Sequence, residues 1–138
     1  MREIKFRAWD KKLMKMFLVN KLDIPNFDSG AVMLHQHPHQ DESTDTWQSL
    51  GSIELMQFTG LLDKNKKEIY EGSIVQYYDS TTMWLKSVVK DIGSCYALTT
   101  PENPIPLYDF LHEYEYKGES IPEIEVIGNI YENPELLK

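Results

Sequence analysis

The chain has 138 residues, of which 41% are apolar and 12% aromatic, with a net charge of −8 and one cysteine. That is enough apolar material to build a core without staples, which excludes a disordered chain. The lone Cys95 excludes an internal disulfide and a cysteine-based zinc site. No apolar run approaches the roughly 20 residues of a membrane-spanning helix, and the charged opening does not resemble a signal peptide. The expectation is one cytoplasmic domain over residues 1–138, with no membrane partner.

In chain order, "REIKFRAWD" alternates, with Ile4, Phe6 and Ala8 predicted inward and Glu3, Lys5, Arg7 and Trp9 outward. "DKK" turns it into "LMKMFLV", which makes a hairpin. Pro25, Asn26, Asp28 and Gly30 predict a loop over residues 20–30, Ala31 to Leu34 a short strand, and "HQHPHQDESTDTWQS" a polar, mobile stretch. "IELMQF" (Ile53 to Phe58) has apolar residues on both faces, as in a strand covered on both sides. "DKNKKE" (Asp63 to Glu68) is a tight polar loop, and Gly60 and Gly72 mark changes of direction that a side chain would strain. Phe58, Ile69 and Val75 are predicted core.

Further strands are expected at Ser73 to Asp79, Trp84 to Asp91 and Ser94 to Thr99, the last two joined by a turn centred on Gly93. The three prolines of "TPENPIP" should stop the sheet, since proline cannot donate to a ladder. Leu107, Phe110, Leu111 and Tyr114 stand at helical spacing, and "EIEVIGNIYE" is a final strand bent or bulged at Gly128. The fold class predicted is mainly β (β-rich α+β): a compact barrel or pseudo-barrel with an SH3-like segment over Glu71 to Leu98 and one short capping helix.

Three stretches, "MREIKFRAWDKKLMKM", "FTGLLDKNKKEIYEGSIV" and "IEVIGNIYENPELL", together resemble the YopX family of small phage and prophage proteins. The resemblance covers the start, middle and end of the chain. It departs from the family's usual pattern at Lys66, where glycine is usual, and at Ser73, where aspartate is usual. It implies a mostly β fold and a viral or prophage origin, and no established activity.

The residues themselves offer little catalytic chemistry. The chain has no nucleophile elbow, phosphate loop, dinucleotide fingerprint or metalloprotease helix motif, so no catalytic residue and no cofactor is assigned. His35, His37 and His39 alternate beside Asp41 and Glu42, so three imidazoles of an extended segment could face one ion; Pro38 and the polar flanks favour a solvated loop over a metal site. Residues 1–22 carry seven Lys/Arg against Glu3 and Asp10, a net of +5, which leaves −13 for the rest of a chain whose total is −8.

The expected contact residues are therefore Lys5, Arg7, Trp9, Lys15 and Tyr77. The basic side chains are expected to meet acids such as Glu113, Glu115, Glu123 or Glu125, within one molecule or across a homo-oligomer. The function expected is that of a non-enzymatic phage or prophage accessory protein that binds a host or phage protein or itself. The alternatives are a nucleic-acid-associated module using the basic N-terminal hairpin, which the acidic total disfavours, and a metal-dependent enzyme using the histidine loop.

Overall fold

The computed structural model describes residues 4–26, 29–35, 46–79, 83–99, 104–108, 110 and 124–137, and among these the chain is mainly β. It divides into two compact units, Met1–Gln57 and Phe58–Lys138.

In the first unit, β1 (Phe6–Asp10) and β2 (Lys15–Asn26) form the predicted hairpin, with Ala8 opposite Phe17 and Asp10 opposite Lys15. On its other side β1 pairs with the first part of β5 (Ile53–Leu62), placing Ala8 opposite Leu55 and Asp10 opposite Ile53. The two-residue period then gathers Ala8, Ile53, Leu55, Phe17 and Val19 into one apolar cluster. β3 (Ser29–His35) pairs with β2, and β4 (Thr46–Ser49) with β3, before a 3-10 turn at Leu50–Ser52 leads into β5.

Two local readings are corrected in this unit. The loop expected over residues 20–30 is strand up to Asn26, because Lys21, Leu22 and Asp23 find ladder partners in Met33, Val32 and Ala31. Pro25 falls in an irregularity of that register, between Asp23 and Asn26, where a missing donor does no harm. The alternation expected around β1 also fails at both ends: Ile4 is 73% exposed and Trp9 only 6%. Ile4 precedes the strand, so no pleat directs it inward. Trp9 lies in a strand paired on both edges, between Met16 and Glu54, on the face that also buries Met56.

In the second unit, β5 from Phe58 onward pairs with β6 (Glu68–Tyr70), Phe58 opposite Tyr70 and Leu62 opposite Glu68. β7 (Ser73–Asp79), β8 (Met83–Asp91) and β9 (Tyr96–Leu98) are the predicted three-strand antiparallel meander. β10 (Ile105–Pro106) joins β9 and β11 (Ile124–Asn129) joins β7, giving the sheet order β10-β9-β8-β7-β11. The proline-rich stretch therefore does not simply stop the sheet. Its last two described residues pair with Leu98 and Ala97, with Pro106 on an edge strand that tolerates a missing donor.

The core of this unit contains Ile69, Val75, Val89, Leu98, Leu107 and Ile124, all nearly inaccessible, and Phe58 is buried as predicted. Leu107, Tyr108 and Phe110 are helical, with Leu107 and Phe110 buried; Leu111 and Tyr114 lie outside the described residues.

Glycines act where the backbone needs them. Gly60 and Gly72 have φ of 84° and 82°. The Gly72 amide donates to the Val89 carbonyl at 2.8 Å and its carbonyl accepts from Ile130 at 3.0 Å. At Gly128 the β7–β11 register shifts, as a bulge does, and a Cβ there would stand 2.5 Å from Oδ1 of Asn133. Gly128→Ala is expected to lower unfolding free energy by about 1–3 kcal/mol through overpacking. Gly72→Ala should lower it by about 1–2 kcal/mol through its left-handed backbone. Urea denaturation of both variants measures these losses, and an unchanged midpoint for either would contradict the reading.

Candidate functional site

The buried polar side chains concentrate at turns. At the end of β1, Asp10 is buried, and its Oδ1 accepts from the amides of Lys12 at 2.9 Å and Leu13 at 3.0 Å. The Met14 amide donates to the Asp10 carbonyl at 2.8 Å, and Met14 itself adopts φ of 56°. This Asx-type geometry closes the turn and holds Lys11, Lys12, Leu13 and Met14 outward. Lys11 Nζ reaches Glu54 Oε1 at 3.1 Å with both side chains about half exposed, an ion pair worth at most about 1 kcal/mol.

The β5–β6 turn repeats the device with a longer reach. Asp63 Oδ1 accepts from Asn65 and Lys67 amides, each at 2.8 Å, while Oδ2 accepts from the Val126 amide of β11 at 2.9 Å. The Lys64 amide donates to the Ile124 carbonyl at 3.0 Å, so the turn pairs with β11 at two successive points. Lys66 adopts φ of 63°, which explains why glycine suits that position: the turn needs a left-handed residue, and here lysine supplies it. Ser73, fully buried, accepts the Tyr70 amide at 3.1 Å and closes the β6–β7 turn, a bond that an aspartate oxygen can also accept. After β11, Asn129 Oδ1 accepts from the Tyr131 and Glu132 amides while the main-chain amide of Asn129 donates to Asn133 Oδ1.

The residues singled out from sequence fall in several places. Lys15 is exposed at the start of β2, and Lys5 and Arg7 are half-buried on and before β1. Trp9 and Tyr77 are not the outward-facing anchors expected, being 6% and 5% exposed. Tyr77 lies on the face of β7 that carries Val75 and stands opposite Ile124, all buried, and its ring meets Phe110 edge-on at 5.3 Å. His35 closes β3, while His37, His39, His112, Glu113, Glu115 and Glu123 lie outside the described residues. Among the described residues no group of three or more His, Cys, Asp or Glu is placed to hold a metal ion. Glu125, an expected partner of the basic hairpin, has Lys64 Nζ at 3.8 Å and Asn65 Nδ2 at 3.5 Å. Cys95 is half-buried in the bend before β9. Sequence reasoning placed Asp10 and Asp63 only as turn residues; an aspartate followed by a lysine-rich turn at the end of an apolar strand was the signal for their clamping role.

These elements define a mainly β protein in which most of the buried polar side chains described sit at turns. The chain belongs to the YopX family, whose model, described as YopX protein, matches residues 5–138. Two solved structures share its fold: protein EF1440 from Enterococcus faecalis, with a TM-score of 0.61, and protein yopX from Bacillus subtilis, with a TM-score of 0.59. Each is 20% identical, and in each case the whole of both chains is covered. No curated protein matches the chain in sequence. Among the described residues no helix is long and apolar enough to cross a membrane.

Asp63→Ala leaves the buried Val126 amide without its acceptor and frees two turn amides, so it should reduce stability by at least about 2 kcal/mol. Lys66→Gly should raise stability by up to about 1 kcal/mol, because relief of the left-handed cost of ~1–2 kcal/mol exceeds the ~0.4–1 kcal/mol of added chain entropy. Thermal and urea unfolding of the two variants decide both signs.

Proposed function

We propose that this chain is a non-enzymatic accessory protein of a phage or prophage that acts in the bacterial cytoplasm by binding protein, whether a host or phage partner or itself. The observation that carries this reading is the use made of its buried polar side chains. Asp10, Thr59, Asp63, Ser73, Ser87 and Asn129 are the buried polar residues described, and each is hydrogen-bonded to main chain. An active site needs buried polar groups aimed at a substrate; these are aimed at the fold's own amides and carbonyls. Among the described residues many of the exposed side chains are lysines and carboxylates, which suit contact and steering.

The exposed Lys12 and Lys15 keep a nucleic-acid reading as the second possibility, since cations on one hairpin are the electrostatic footprint such binding uses. A net charge of −8 opposes it. The two readings separate on salt. Retention on immobilised duplex DNA should be absent at physiological ionic strength, and nuclease-treated host lysate should still yield a protein retained by the immobilised chain. Strong retention on DNA that falls steeply with salt and disappears in Lys12→Glu with Lys15→Glu would favour the nucleic-acid module instead. Metal analysis of untagged protein tests the third reading, and stoichiometric zinc, nickel or copper would revive the histidine loop.

A further inference from the structure

The tip of the β1–β2 hairpin breaks two local rules at once. Leu13 and Met14 are 56% and 65% exposed, and Met14 adopts φ of 56°, a conformation that asparagine or glycine would occupy with less strain. Nothing in the turn rewards methionine there, because its closure relies on the Asp10 carboxylate and on the Met14 main-chain amide rather than on the Met14 side chain. A residue choice unfavourable to backbone and solvation alike is one that a contact outside the chain would account for. Around the two apolar side chains stand Lys11, Lys12 and Lys15, all exposed.

The complementary feature is also on this chain. The 3-10 turn at Pro134–Leu137, which follows β11, exposes Leu137 at 47% together with Glu132 and Glu135. It is apolar and acidic where the hairpin tip is apolar and basic, and the +5 against −13 division of charge has the same polarity. The turn is held by its own bonds, Asn133 to the Asn129 carbonyl at 3.0 Å and Leu136 to the Asn133 carbonyl at 3.1 Å, so it offers a shaped surface rather than a loose tail.

We propose that the tip Lys11 to Lys15 of one molecule docks on the Glu132 to Leu137 segment of a second copy, with Leu13 and Met14 meeting Leu137 inside a rim of lysine–glutamate pairs. In a two-fold dimer the contact occurs twice. This inference rests on the protein-binding reading above and names the surface that carries it.

Sedimentation of the full chain at low and high salt tests it. The wild type should self-associate, about tenfold or more weakly at high salt because the rim pairs are exposed and screened. Met14→Asn should weaken association while leaving the thermal transition equal or higher, since asparagine tolerates the left-handed turn. Lys12→Glu and Glu135→Lys should each weaken association alone, and mixing the two variants should restore it. If the wild type self-associates but the tip variants do not alter this, or the mixed variants fail to recover, the surface is wrong while the protein-binding reading stands. A wild type that sediments as a monomer at every concentration overturns the dimer. If that monomer also captures no host protein, the broader reading falls as well. Co-sedimentation of such a monomer with phosphatidylserine vesicles, lost in Met14→Asn, would reassign the tip to a lipid surface.

Discussion

Three backbone amides converge on the carboxylate of Asp63, two from its own turn and one from Val126 on a strand 63 residues away in sequence. An ionised carboxylate accepts such bonds more strongly than a neutral oxygen, and burial keeps water from competing for them. With the Lys64 amide on the Ile124 carbonyl, the contact occupies a main-chain donor and a main-chain acceptor of β11. A strand edge left with unpaired groups invites pairing with other chains; here a turn covers it. Much else in the second unit follows from this. β11 held in register buries Ile124 and Val126 against β7, and the bulge after Val126 brings Gly128 under Asn133 so that the Asn129 turn can form.

The same economy of means recurs around the molecule. Asp10, Ser73 and Asn129 each accept nearby main-chain amides and close a turn, as Asp63 does. A turn closed by an acceptor side chain leaves its remaining residues free of that duty. In the two aspartate-clamped hairpins those residues are mostly lysines, and one in each, Met14 or Lys66, takes a left-handed backbone. The result is two ordered turns that display cations on a chain whose total charge is negative. Ordered display lowers the entropy lost when such side chains meet a partner, which is where the case for contact rather than catalysis gains its weight.

Local pattern sufficed for a large part of this architecture. Alternation in "REIKFRAWD" pointed to the β1–β2 hairpin, although Ile4 and Trp9 break it, while β-branched and aromatic composition bounded by turn residues marked the meander from β7 to β9 and β11. Gly60, Gly72 and Gly93 stood where the chain was expected to turn or change direction, and all three adopt positive φ, Gly60 at a register shift inside β5, since few other residues adopt that backbone without strain. Family resemblance in three separated stretches agreed with the fold.

Local residue patterns were thus enough for the presence and type of most strands, their turns, and core residues such as Phe58, Ile69 and Val75. Packing between distant segments set the inward direction of Trp9 and Tyr77, the ladder partners of Lys21, Leu22, Asp23 and Asn26, and the reach of Asp63 to Val126. The physical reason is common to all three. Whether a face is covered, whether an edge is paired and which distant amide a carboxylate meets are properties of what packs alongside, and a local window of residues carries no record of its neighbours across the fold.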